Sequence, residues 1–403
     1  MKLCIVHPMD PWGTQVGGAE TFARGLLQFA PEDVEPSLIG IQTARNLQTP
    51  PPGTWRSGLL GGRSVAFLPL FDEGDEPQKH LIPLSLRFTL ALACKRLDWH
   101  DRVVLFNRIE PAVISTPGSC IRVAVIHNDI HAQIDNRNSD VAWRHMPFLY
   151  HSLEKRLFRG MDHVFTVHQP TLDHYQKRYA QLQTGFSFQP TWVDTDRFRP
   201  SPLPKAEQKH LLSHHQPDLD PRDRWILFSG RFETQKNPLG LIKGFLLALK
   251  THPDLQLLLA GCGSWRLRME EAARPAAGRI HFLGTLAPEA LIPHYQASDL
   301  LLLASHYEGM PLAVLEALAC GLAVVSPPVG EVPRLVRSGE TGELSADTSA
   351  EAVARALVTA LGRPTPYEPA LCHKAITPYT PVHVLPPLFE RLRRLSRPEA
   401  GAP

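Results

Sequence analysis

The sequence predicts an α/β protein built from two parallel-sheet units. Two observations carry that prediction. Short, uniformly apolar runs alternate with stretches of helical period along most of the chain. Strands apolar on both faces are buried on both, as in a parallel sheet covered by crossover helices. The alternation is interrupted at residues 199–224 (RPSPLPKAEQKHLLSHHQPDLDPRDR), which are rich in proline and charge and poor in periodic apolar residues. The boundary is placed there, giving domains 1–200 and 201–378 and a C-terminal segment 379–403. At 403 residues, two domains are each long enough to bury a core.

In the first unit, KLCIV (2–6) reads as a strand and AETFARGLLQFA (19–30) as a helix with Phe22, Leu26 and Phe29 turned inward. RVVLF (102–106), IRVAVI (121–126) and HVFTV (163–167) read as further buried strands, with a helix around 153–158 between the last two. Residues 49–64 (TPPPGTWRSGLLGGRS) have the proline and glycine content of a mobile surface loop. In the second unit, WILFS (225–229), LQLLLA (255–260), RIHFLG (279–284), DLLLLA (299–304) and LAVVS (322–326) are the strands. PLGLIKGFLLALK (238–250) and EALIPHYQA (289–297) are helices between them, and Leu312, Leu315, Leu318 and Ala319 give the buried stripe of another. Near the end, Leu388, Leu392 and Leu395 stand at helical spacing opposite Arg391, Arg393, Arg394 and Arg397. That pattern fits a helix packed back on the body with a solvated basic face, or one touching an anionic membrane surface.

Composition excludes several functions. Lys and Arg number 42 against 40 Asp and Glu, so no overall field favours nucleic acid and any anion binding is local. The six cysteines are far apart, with no C-x-x-C pair, which argues against a zinc site or a disulfide framework. The apolar run at residues 3–6 is too short for a signal peptide, and nowhere do eighteen apolar residues occur together. The expectation is a soluble, cytoplasmic protein, with the inner face of the membrane as a candidate peripheral contact.

Residues 306–325 (HYEGMPLAVLEALACGLAVV) carry two carboxylates in an otherwise core-like stretch. Glu308 falls in a strand-to-helix loop at the carboxyl end of a parallel strand, where open α/β sheets bind ligands. Gly309 permits close backbone approach, and the first-turn amides after Pro311 present the positive end of the helix dipole to an anion. Glu316 lies over a turn further on, so the two carboxylates can accept hydroxyls from opposite ends of one ligand. The alternative makes Glu308 a cap and Glu316 an exposed helix residue. In residues 227–245 (LFSGRFETQKNPLGLIKGF), Gly230 opens a turn, and Arg231 and Lys236 precede a helix. Two cations there suit phosphate, or are solvated surface charges.

Two features of the first unit also fall at strand ends. Gly17 and Gly18 let backbone approach a ligand but do not form the G-x-G-x-x-G dinucleotide fingerprint. His127 ends a buried strand, where it can hydrogen-bond a substrate or take part in proton transfer. His127, Asp129 and His131 alternate along extended chain without a third convergent set, which argues against a metal site. Asp194 and Asp196 form a D-x-D sequence, but the connector around them assigns these aspartates to caps and turns.

Taken in order, these pieces resemble the retaining glycosyltransferases of family 4. The resemblance is most specific in GRFETQK (230–236), GCG (261–263), HFLG (281–284), EGMPLAVLEALACGLAVV (308–325) and GETGEL (339–344). GGAE (17–20), His127 and WVDTDRFRP (192–200) support it in the first half. It implies GT-B architecture, two Rossmann-like domains with parallel sheets facing across a deep cleft. It also implies a nucleoside diphosphate sugar, a UDP- or GDP-sugar, as donor, with no metal and no further cofactor. Arg231 and Lys236 would hold the diphosphate beside Gly230, with Gly17 or Gly18 approaching from the other domain. Glu308 would bond the sugar hydroxyls, and the backbone of Gly309, Met310, Pro311 and Leu312 would position sugar and phosphate. Glu316 would take the ribose, Phe282, Leu283 and Leu286 would lie near the base, and His127 would touch the sugar from the acceptor side. The acceptor would be a saccharide, a lipid-linked saccharide or a small molecule. Glu331 and Arg334 depart from the family, which has Gly and Glu in those places, and residues 49–117 match no recognised motif. A sugar-nucleotide epimerase on the same architecture, or a binding protein without turnover, would use much of the same machinery.

Overall fold

A computed structural model describes residues 1–13, 17–43, 51–74, 82–114, 116, 119–127, 134 and 145–397. The chain forms two compact units, one of residues 1–128, 146–191 and 381–403, the other of residues 129–145 and 192–380.

Among the described residues the first unit holds an eight-stranded sheet in the order β3-β4-β2-β1-β5-β6-β7-β8. The strands are β1 (Lys2–Val6), β2 (Glu35–Gln42), β3 (Arg56–Leu60), β4 (Arg63–Asp72), β5 (Arg102–Phe106), β6 (Ile121–Ile126), β7 (His163–Thr166) and β8 (Gly185–Phe188). All neighbours are parallel except β3 and β4. The apolar runs became strands because both of their faces are covered: Leu3, Ile5 and Val6 of β1 and Val104, Leu105 and Phe106 of β5 are fully buried.

Part of the stretch expected to be a mobile loop is instead an antiparallel hairpin. Leu60 pairs with Arg63 across Gly61 and Gly62, whose φ values of 55° and 82° suit the two-residue turn that matches strand twist. The glycine pair between apolar runs is the signal for it.

The second unit holds, among the described residues, a six-stranded sheet in the order β11-β10-β9-β12-β13-β14. Its strands are β9 (Arg224–Ser229), β10 (Leu255–Ala260), β11 (Ile280–Gly284), β12 (Leu300–Leu302), β13 (Val324–Ser326) and β14 (Gly342–Leu344), and every pair is parallel. The chain winds outward from β9 to β11, then returns to β12 beside β9 and winds the other way. That reversal is the topological switch point at which α/β sheets bind ligands. The loops after β9 and β12 therefore meet where a site belongs.

The compact units divide between Thr191 and Trp192, not at residue 200, because the intervening segment packs with the second unit. The Val193 amide donates to the Tyr379 carbonyl at 2.9 Å, and the Phe198 ring meets Tyr295 edge-on at 6.2 Å. The proline-rich connector is also more ordered than its composition suggests. Its residues Lys205–His215 form a helix, and buried Lys209 donates to Asp299 at 2.6 Å and to the Asp223 carbonyl at 2.8 Å. The C-terminal helix, Pro381–Ser396, groups with the first unit: it buries Leu388, Phe389 and Leu392, and Arg393 pairs with Asp33 at 2.6 Å. Among the described residues no helix is long and apolar enough to cross a membrane.

Candidate functional site

In the second unit β9 ends at Ser229, and a short 3-10 turn, Thr234–Lys236, leads into the helix Pro238–Leu249. The turn brings Lys236 and Gln235 against Glu308, which follows β12. Lys236 Nζ lies 2.6 Å from Glu308 Oε1, and Gln235 Nε2 donates to Glu308 Oε2 at 3.3 Å and to the Tyr307 carbonyl at 3.1 Å. The His306 amide closes the loop by donating to the Gln235 carbonyl at 2.8 Å. Glu308 is thus buried and held at both oxygens. The sequence singles out Lys236 and Glu308, which the fold brings together, and gives no sign of Gln235, whose partner lies 73 residues away. Arg231 is exposed, and among the described residues its guanidinium has no partner.

Pro311 stands immediately before the helix Leu312–Ala319, which no side chain caps. The amides of Leu312 and Ala313 have no partner among the described residues, whereas those of Val314 and Leu315 already donate to the Pro311 carbonyl, and the positive end of the dipole lies close to Glu308 in sequence. The loop is braced from the next strand. Gly330 has φ +56°, and a Cβ there would fall 2.2 Å from the Gly309 carbonyl oxygen and 2.7 Å from that of Glu308. The Glu331 amide donates to the same Gly309 carbonyl at 2.9 Å. The Glu331 carboxylate, 1% exposed, meets Arg334 Nε at 3.2 Å. The departure at Glu331 thus lies against the very loop that carries Glu308 and Gly309.

Glu316 is half-buried, not an exposed helix residue. Its Oε2 accepts from the Tyr295 hydroxyl at 2.8 Å. Burial raises its pKa, while the Tyr295 hydrogen bond and the charge of Arg197 pull the other way. Phe282, Leu283 and Leu286 are half-buried at or just beyond the end of β11. Phe282 meets Phe232 edge-on, and the Arg266 guanidinium lies 4.2 Å above its ring.

In the first unit His7, Asn107 and His127 follow β1, β5 and β6, and the helix Gly18–Gln28 begins beside them. Asn107 Nδ2 donates to the Ala19 carbonyl at 2.8 Å, which turns its Oδ1 toward His127 Nε2, also 2.8 Å away. Burial, with a contribution from nearby His7, lowers the His127 pKa to about 3. His127 is therefore neutral at physiological pH, and this network assigns its proton to Nε2, leaving the Nδ1 lone pair as an acceptor. Such an imidazole suits a substrate hydroxyl better than proton uptake. Its ring is wedged against Phe22 at 4.9 Å.

His7 Nε2 lies 3.4 Å from Glu20, and Glu20 in turn fills the space that a Cβ at Gly17 would need, 2.1 Å from Oε2. A Cβ at Gly18 would meet nothing within 4 Å. Asp129 and His131 lie outside the described residues. Asp194 closes a turn by accepting from the Asp196 amide at 3.0 Å, as a connector residue does.

Residues 212–373, which lie inside the second unit, match the family model for glycosyl transferases group 1. That unit resembles a group 1 glycosyl transferase. The D-inositol 3-phosphate glycosyltransferase of Rhodococcus jostii is 33% identical over 181 residues, 43% of this chain and 38% of that protein. A GDP-mannose-dependent monoacylated alpha-(1-6)-phosphatidylinositol monomannoside mannosyltransferase of Corynebacterium glutamicum is 27% identical over 205 residues, 49% of this chain and 52% of that one. The chain spans between about two-fifths and half the length of these curated relatives. Among solved structures, sucrose-phosphate synthase from Thermosynechococcus elongatus matches with a TM-score of 0.74 at 19% identity, over 98% of both chains. Anabaena Alr3699/HepE in complex with UDP-glucose matches with a TM-score of 0.68 at 16% identity, over 98% of this chain and 100% of that one. At such identities the likeness establishes the fold, the GT-B type of α/β structure with two parallel-sheet units.

Proposed function

We propose that the protein is a retaining glycosyltransferase of the hexosyl-transferring type, which moves a sugar from a UDP- or GDP-sugar to an acceptor hydroxyl. The observation that carries this reading is the grouping of Lys236, Gln235 and Glu308 beside the uncapped start of the Leu312–Ala319 helix. An ammonium has three donors and a carboxylate about four acceptor positions. The ion pair uses one donor of Lys236, and the others remain for the diphosphate. Glu308 likewise keeps capacity for sugar hydroxyls after accepting from Lys236 and Gln235.

As the anomeric bond breaks, negative charge grows on the leaving diphosphate. Lys236, Arg231 and the helix amides would stabilise it, so the reading assigns charge neutralisation to the chain's own groups and needs no metal. Glu308, engaged at both oxygens, is a poor covalent nucleophile, which favours front-face attack. The departing phosphate oxygen would then take the acceptor proton. The acceptor is assigned to the first unit, where neutral His127 offers Nδ1 to a sugar hydroxyl. A saccharide, a lipid-linked saccharide or a small molecule fits this role. The GDP-mannose dependence of the Corynebacterium glutamicum relative and the UDP-glucose bound in the Anabaena structure support the donor class.

The test is product analysis after incubating the protein with UDP-, GDP- and ADP-sugars and a broad acceptor panel. Transfer with retained anomeric configuration, undiminished by a chelator, is expected. An inverted product or a trapped glycosyl-enzyme adduct would refute the mechanism. Acceptor-independent conversion of donor would indicate an epimerase, and binding without any transfer a non-catalytic protein.

A further inference from the structure

Tyr295 is fully buried, yet its hydroxyl reaches the end of β9 and the helix carrying Glu316. Its ring is fixed by the edge of Phe198, 6.2 Å away. The hydroxyl donates to Glu316 Oε2 at 2.8 Å, and the neighbouring Ser229 side chain opposes the rise in its pKa that burial causes. A phenol has one proton, and here it goes to Glu316, which leaves the phenol oxygen free to accept from a neighbour such as Ser229. The Tyr295 hydroxyl therefore anchors one oxygen of Glu316. The other oxygen, Oε1, has no partner among the described residues. A terminal carboxylate torsion is broad, so without this anchor the two oxygens would not keep fixed directions. With it, one face of the carboxylate stays presented to a pair of adjacent hydroxyls.

We propose that Tyr295, backed by Ser229, is a positioning residue that orients Glu316 to read a vicinal diol, and that it thereby sets the preference for a ribonucleotide over its deoxy counterpart. This rests on the reading of Glu316 as the ribose acceptor. Tyr295 touches no ligand itself. Its removal should erase discrimination at the ribose while leaving binding through the diphosphate intact, because Arg231 and Lys236 stand on the segment after β9 and Lys236 is held by Glu308.

The experiment is calorimetric titration of the full chain with UDP, GDP and ADP, each beside its 2′-deoxy form. The unaltered protein should prefer the ribonucleotide by about tenfold or more, the effect of one hydrogen bond to a charged group. Tyr295→Phe keeps the ring and loses the donor. It should weaken ribonucleotide binding to within about twofold of the deoxy form, with deoxy affinity unchanged. Ser229→Ala, which leaves the core ring in place, should lose part of the preference and serves if Tyr295→Phe does not fold.

If the unaltered protein prefers the ribonucleotide and Tyr295→Phe, or Ser229→Ala in its stead, keeps the full preference, the positioning role is overturned while the ribose reading of Glu316 stands. If the unaltered protein shows no preference, or binds none of the nucleotides, the underlying reading fails and the inference with it.

Discussion

Lys236→Met is expected to lower the rate of sugar transfer by about two to three orders of magnitude, the usual effect of removing one electrostatic donor from a transition state. It should also destabilise the protein. Lys236 and Glu308 have side chains only 15% and 5% exposed, and deleting one partner strands the other's charge. Such losses run to about 3–5 kcal/mol, and the lower end is expected because Gln235 still donates to Glu308. The two effects separate in the double variant. Lys236→Met with Glu308→Gln removes the stranded charge, so denaturant stability should recover while activity does not. Steady-state kinetics and urea unfolding of the two single variants and the double variant measure both arms. Recovery of rate together with stability would mean that Lys236 supports the fold alone.

Gly330→Ala is expected to destabilise the second unit by about 2–5 kcal/mol, combining roughly 1–2 kcal/mol for a left-handed non-glycine residue with about 1–3 kcal/mol of overpacking. At the sensitivity of a domain this size, that is a fall of roughly 4–20 °C in thermal midpoint. No flexible side chain can yield to the new methyl group: the atoms it meets are the backbone oxygens of Gly309 and Glu308. Any relief must move the loop that carries the site, so the variant should lose transfer activity even where it remains folded. A midpoint within a degree of the unaltered protein would show that the loop relaxes freely, and the bracing role of residues 330–331 would fall.

The sequence made the second unit legible because its strands are apolar on both faces and its candidate site residues sit in short motifs at strand ends. Lys236 and Glu308 were each identifiable by that position, although their mutual ion pair was not. What stayed hidden depends on contacts between distant segments. Gln235 reads as one polar residue in a turn until β12 brings Glu308 to it. Tyr295 reads as part of an apolar stripe in EALIPHYQA, and only the sheet order sets its hydroxyl beside Glu316 and Ser229. The helix Lys205–His215 has little apolar periodicity, since its key contact is a buried lysine bound to Asp299. Glu331 looked like a departure from a pattern, and the fold shows its amide gripping Gly309. The hairpin of β3 and β4 was readable from Gly61 and Gly62, but the surrounding proline and glycine content outweighed that local signal.

The measurement that most directly tests the donor site is amide hydrogen exchange on the full chain, with and without a saturating nucleoside diphosphate sugar. Slower exchange is expected at residues 230–236 and 309–315, the segments that carry Arg231, Lys236 and the open amides of Leu312 and Ala313. Protection confined to other segments, or none at saturation, would contradict the assignment of that strand edge as the place where the donor is held.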